Sequence, residues 1–291
     1  GWSLGLGAIT WAEHDVTADC QSTCGNNWEN SWQISDPYGM SADLIPPNNA
    51  VSTYYDETIN TYFDGTTYYN LPAQWHASSE NYAKIISFVG PNTIQSQAAK
   101  PPCFRAWLTN GIMEEFGCTP DSLQYYETPT GDRMSAWDLD LLTDASGNQI
   151  HITYQADTTP GFPRDVELST IQYDAPGCHN AQTVCSGGAW APRVQIAFLA
   201  SHSPTRLTGG APTGCNSGAG MRCDDPLDLS GSTPKGDPAP SVQSTLVLND
   251  LQVEVSPSGN NSWSLVHDDQ LSYQQSGPQT YLDPVSYTHL R

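Results

Sequence analysis

From Trp137 to Leu141 the chain alternates strictly, Trp-Asp-Leu-Asp-Leu, and after Asp144-Ala-Ser-Gly-Asn148 it alternates again through Ile150-His-Ile-Thr-Tyr154. A period of two sends successive side chains to opposite faces of a strand, and the Gly-Asn punctuation turns the chain back on itself. The stretch therefore predicts an antiparallel hairpin with one buried face. Similar runs recur at 81–89, 122–127, 166–173, 193–199, 245–255, 263–267 and 270–273. A further hairpin is expected around Asp64-Gly65 in 51–70, and an apolar, strand-like start at Gly1-Trp-Ser-Leu-Gly. With 24 Gly, 22 Pro, nine Trp, fourteen Tyr and only ten Lys plus Arg, the chain is rich in strand and turn formers and poor in helix formers.

The expected fold is all-β, with consecutive antiparallel hairpins forming an extended, curved sheet that spirals, interrupted by long loops. Residues 17–50 and 201–240 read as loop-rich insertions, and no sharp linker divides 1–284. The tail at 285–291, Val-Ser-Tyr-Thr-His-Leu-Arg, breaks the pattern and resembles a translated sequencing adapter, which would end the natural sequence near Asp283 or Pro284.

Eight cysteines fall as four near neighbours: Cys20 with Cys24, Cys103 with Cys118, Cys178 with Cys185, and Cys215 with Cys223. The spacing fits neither zinc knuckles nor a Cys-x-x-Cys redox motif, so disulfides that staple loops and hairpins are expected, and with them an oxidising, secreted or cell-surface location. One pair follows from geometry. Asn110-Gly111 lies midway between Cys103 and Cys118, and Asn-Gly favours a two-residue type I′ turn. That turn sets Cys103 opposite Cys118, Arg105 opposite Phe116, Trp107 opposite Glu114 and Leu108 opposite Met113.

The formal net charge of -21 disfavours nucleic acid and anionic membrane surfaces as partners. No run of apolar residues is long enough for a membrane-spanning helix.

Candidate chemistry is sparse. Glu114 and Glu115 are adjacent on a strand and face opposite sides, so they cannot act as a pair. Asp138 and Asp140 share a face, roughly 6–7 Å apart, but that face is the polar one and is expected to meet solvent. Asp268-Asp269 reads as a turn. The seven histidines (His14, His76, His151, His179, His202, His267 and His289) show no metal spacing, and Ser201-His202-Ser203 lacks a nucleophile elbow. No cofactor is expected. Asp144-Ala-Ser-Gly-Asn148 and Cys223-Asp-Asp-Pro-Leu-Asp228 offer oxygen ligands that a structural calcium would take. The doublets Tyr54-Tyr55, Tyr62-Phe63, Tyr68-Tyr69 and Tyr125-Tyr126 give a second reading, a carbohydrate-binding β module with exposed Trp and Tyr; a glycoside hydrolase ranks third.

Several of these segments have a family cadence. Gly1-Trp-Ser-Leu-Gly-Leu-Gly-Ala-Ile, Trp107–Gly117 and, above all, Trp137–Tyr154 resemble the hairpins of the RHS/YD-repeat shell proteins, a group that includes toxin-complex B-type subunits, virulence-plasmid B-type proteins and, more distantly, teneurins. In the most specific unit the matching positions are Trp137, Leu139, Asp144, Gly147, Asn148, Ile150 and Tyr154. Leu168–Tyr173 with Val194–Phe198, and Leu248–Val253 with Leu271–Tyr273, resemble the units that follow. The resemblance implies a non-catalytic wall segment of a β-sheet cage, whose partners are the rest of its own polypeptide and an enclosed C-terminal payload. It departs from the family in lacking an Asp-Pro-x-Gly autocleavage motif, since Asp225-Pro-Leu-Asp228 has no Gly.

Overall fold

The computed structural model describes residues 5–15, 28–45, 73–79, 82–89, 102–128, 131–158, 165–175, 190–202, 207–208, 246–276, 279–282 and 286–289. All their regular structure is β apart from a single 3-10 turn at Pro120–Ser122. The chain divides at the turn after Thr143 into two compact units, Leu4–Ala145 and Ser146–Arg291.

The first unit contains β1 (Ala8–Asp15), β2 (Trp28–Ser35), β3 (Ser41–Ile45), β4 (Ala73–Ala77), β5 (Lys84–Val89), β6 (Pro102–Trp107), β7 (Met113–Phe116), β8 (Leu123–Thr128) and β9 (Gly131–Thr143). Neighbours pair antiparallel from β1 to β7, β7 pairs with β9, and β9 returns to β1 through Ile9 opposite Trp137. Eight strands thereby close into a barrel. A barrel of this size has an interior that side chains can fill. Alternation supplies them: Ile9, Ile34, Trp75, Ile85, Phe104, Phe116, Trp137 and Leu139 are at most 1% exposed. Trp32 sits centrally, with ring centroids 5.0 Å from Trp75, 5.2 Å from Trp137 and 6.1 Å from Phe104. The indole Nε1 of Trp75 donates to Ser87 Oγ at 2.9 Å, so this polar atom of the interior is satisfied. The first half of β9 pairs with β8 and the second half with β7.

Two of these strands lie where the sequence suggested an insertion. Within 17–50, β2 and β3 supply Trp32, Ile34 and Leu44 to the core. The short β3 and the Asp36-Pro-Tyr-Gly39 turn before it hid the alternation. The expected hairpin at 51–70 and the cysteines Cys20, Cys24, Cys178, Cys185, Cys215 and Cys223 lie outside the described residues, as does nearly all of 201–240.

The second unit is an antiparallel sheet in the order β10 (Gln149–Asp157), β11 (Asp165–Tyr173), β12 (Val194–Ser201), β14 (Val247–Val255), β15 (Ser264–Gln270) and β18 (Ser286–His289). A smaller sheet joins β13 (Leu207–Thr208), β16 (Tyr273–Ser276) and β17 (Gln279–Leu282). The period of two reappears as rows across the strands. Ile152, Ile171, Ile196 and Val253 stand in register, and the adjacent row is His151, Gln172, Gln195 and Glu254. In that polar row Gln172 donates to Gln195 at 2.6 Å and Gln195 to Glu254 at 2.8 Å. Asp268-Asp269, expected in a turn, lies in β15, where Asp268 accepts from Gln252 and Gln270. One amide from the neighbouring strand, Gln252, and one from its own strand, Gln270, account for it, and turn geometry does not.

Candidate functional site

The chemistry of the first unit gathers around the β6–β7 hairpin. Its register is one residue away from the two-residue-turn expectation: Trp107 faces Met113, Ala106 faces Glu114, Arg105 faces Glu115 and Phe104 faces Phe116. Among the turn residues only Gly111 has a positive φ, at 84°, and Asn110 Oδ1 accepts the Ile112 N–H at 3.0 Å. A three-residue loop therefore replaces the type I′ turn. A slip of one residue exchanges the faces of every pair. Glu114 consequently points into the barrel beside Ala106, and Glu115 points outward to Arg105.

The predicted disulfide nevertheless forms, with Cys103 and Cys118 Cα atoms 5.0 Å apart. Gly117 is the extra residue that restores the match. Its φ is +68°, and a Cβ there would lie 2.2 Å from Trp137 Cδ1, so no side chain fits.

On the outer face, the Arg105 guanidinium binds the Glu115 carboxylate through Nε at 2.8 Å and again through the terminal nitrogen. It also lies 4.9 Å from the Phe88 ring centre. Asp140 Oδ2 accepts from the backbone N–H groups of Cys118 and Thr119 and from Ser122 Oγ, tying down the 117–122 connection. Asp138 accepts from Gln124 Nε2 at 2.8 Å. Asp138 and Asp140 are thus buried, at 9% and 3% exposure, where the sequence predicted a solvent face. Burial pushes Asp138 up to about 6 and Asp140 up to about 7. The 117–122 connection and β8 reach both carboxylates, and alternation alone cannot reveal such a covering. Glu115, Cys118 and Asp140 bring potential metal-ligand atoms within 4.8 Å of one another. With Cys118 bonded to Cys103 and Glu115 bound to Arg105, the group acts as a structural knot.

Glu114 is the residue that sequence reasoning missed. It is 0% exposed, and neither of its oxygens has a hydrogen-bond partner. Burial, followed by the negative charge of Asp36, raises its pKa to about 8. Only the correct register would have shown it facing inward.

The other sequence-selected residues serve structure. Trp137 and Leu139 are core. Ile150 and Tyr154 are half-buried in β10, and Gly147, with φ +86°, lies with Asp144 and Asn148 in the turn after β9. His151 stacks on Trp190 with ring centres 3.5 Å apart, and burial lowers its pKa to about 4. Ser201 Oγ accepts from Asn249 at 2.8 Å, whereas His202 lies 3.8 Å from Asp157. A groove of about 300 Å³ on the outside of β1–β3 is lined by Thr10, Gln33, Ser35, Ser41 and Asp43 among others. Its carboxylate, Asp43, accepts from Gln33 at 3.3 Å.

A closed antiparallel barrel in one unit and a meandering antiparallel sheet in the other define an all-β protein whose described carboxylates are mostly engaged in holding strands and turns. No protein-family model matches the chain, and no curated protein matches it. Its fold is similar to the N-terminal domain of the effector protein SpvB from Salmonella typhimurium strain LT2, with a TM-score of 0.54 at 12% identity over 98% of this chain and 87% of that one. It is also similar to a part of the TcdB2–TccC3–Cdc42 structure, with a TM-score of 0.55 at 13% identity over 96% of this chain. The Tc holotoxin pore of Photorhabdus luminescens gives a TM-score of 0.55 at 12% identity over 96% of this chain. The chain spans 13% of the matched chain in each of the last two. At these identities the likeness is one of fold.

Proposed function

We propose that this chain is a wall segment of an RHS/YD-like β-sheet shell, a structural part that encloses or scaffolds and does no catalysis of its own. The observation that carries the reading is the extent of the fold likeness. It covers nearly the whole chain, yet only a small fraction of the much longer Tc-toxin chains. A segment of that kind works through its continuation into neighbouring strands. The partners on this reading are the rest of its own polypeptide and an enclosed payload, and the Cys103–Cys118 bridge supports an oxidising, secreted or surface location. The carbohydrate-binding alternative draws less support, because Trp11, Trp32, Trp75 and Trp137 are spent on the core.

Electron microscopy of the protein encoded by the complete gene tests the proposal. A hollow shell with this segment in its wall is expected. A compact particle without a lumen, or saturable glycan binding lost on replacing exposed tyrosines such as Tyr82, would overturn it.

A further inference from the structure

The barrel has two ends, and the strand register shows which groups meet at one of them. β1 begins there, and β2, β4, β6 and β9 end there. Two carboxylates face inward at this end. Glu114 is the second residue of β7, on the same face as Phe116, and Leu142 stands opposite it on β9. Asp36 follows β2 on the face that carries Trp32 and Ile34, and is 8% exposed. Asp36 Oδ1 accepts the N–H groups of Tyr38 at 2.8 Å and Met40 at 2.7 Å. Both bonds use the same oxygen and leave Oδ2 for another ligand.

The independent sign of a ligand is Glu114 itself. A carboxylate enclosed by protein with both oxygens unpartnered is not a stable resting arrangement, and such a group implies either a bound proton or an ion. A second buried carboxylate at the same end, whose negative charge reaches Glu114, makes a cation the better answer, because one positive ion serves both groups and a proton serves one.

We propose that Glu114 and Asp36 form an internal site for a divalent cation of the calcium type at this end of the barrel. The donors are all oxygen, which selects a hard cation over zinc. Carboxylates from two separate elements give calcium the flexible coordination it accepts, and backbone carbonyls or water complete the shell. Asp144, in the turn after β9, and the acidic surface as a whole add negative potential that favours cation entry. By holding β7 to the end of β2, the cation would brace barrel strands that are not neighbours.

The test uses the whole protein, treated with chelator and returned to pH 8.5, titrated with calcium chloride. Trp32, Trp75 and Trp137 fill the same interior and report through their fluorescence. A saturable fluorescence change is expected by millimolar calcium, on the order of the affinity of extracellular modules. Tenfold excess over Kd should raise the melting temperature by about 2–5 °C. Glu114→Gln and Asp36→Asn should each abolish the calcium-dependent shift, whereas Asp43→Asn on the outer face should keep it. Glu114→Gln should melt at or above the calcium-free wild type, since it removes the orphaned charge; should it fail to fold, Asp36→Asn alone decides. The absence of any shift in the wild type, or a shift of equal size in Asp36→Asn and the wild type, overturns the site.

Discussion

At the scale of single residues, the buried acids and the buried histidine pull stability in opposite directions with pH. Asp138 and Asp140 have folded pKa values of about 6 and about 7, above their ordinary 3.8. The folded state therefore holds more protons than the unfolded state between these limits. Their contribution is complete below about pH 3.8 and is lost as pH rises through about 7. His151, lowered to about 4 from 6.5, does the reverse in the second unit, which loses stability as pH falls from about 6.5 to about 4. Hydrogen exchange corrected for intrinsic rates should show β7–β9 losing protection, and β10–β11 gaining it, between pH 4.5 and 7. Asp140→Asn should flatten much of the first trend; an unchanged slope would show that burial does not govern this carboxyl. Asp138 and Asp140 also mark a limit of sequence reading. Alternation correctly gave them a common face, but whether later chain covers that face depends on where the 117–122 connection and β8 come to rest.

At the scale of the element, the β6–β7 hairpin was legible in its ends and illegible in its middle. The Cys103–Cys118 pairing was read correctly because two departures cancel: the loop takes one residue more than the Asn-Gly signal implies, and Gly117 adds one back. The misread middle hid Glu114. Turn propensity decides between neighbouring registers by little more than a residue's φ preference, whereas core packing decides by the burial of Phe104, Ala106 and Phe116. The bulge can thus be tested directly. Gly117→Ala introduces both positive-φ strain and a collision with Trp137, and is expected to cost about 2–4 kcal/mol in urea unfolding. Replacing Cys103 and Cys118 together by Ser should cost about 3 kcal/mol, the chain-entropy value for a loop of this length. Non-reducing peptide mapping should recover the two cysteines in one linked fragment. A loss under 1 kcal/mol for Gly117→Ala would mean that the strand relaxes around the methyl group and that the bulge is not fixed by Trp137.

At the scale of the whole molecule, the all-β class and the succession of hairpins were written in the period of two, but barrel closure was not. Closure rests on the pairing of Ile9 with Trp137, far apart in sequence, which arises from twist accumulating over the intervening strands. No local pattern encodes that sum. Closure matters because it gives each barrel strand a neighbour on both sides and leaves β8, paired with β9, as the edge of the first unit, whereas among the described residues of the second unit β18 pairs with β15 alone. An uncovered edge is an invitation to association, and the charge of -21 opposes it at neutral pH. That protection disappears near the isoelectric point of about 4.3. The raised acids of the barrel keep that unit folded there, so the expected result is association of molecules whose barrels stay folded and not general unfolding. Light scattering should therefore rise between about pH 4 and 5 and fall again above about pH 6, while the tryptophan fluorescence of the barrel core stays native throughout. Salt at neutral pH should imitate the effect weakly, because 0.5 M salt shortens screening to about 4 Å without removing charge. A protein that remains monomeric through pH 4.3 would show that the β18 edge is covered, and that charge is not what keeps these molecules apart.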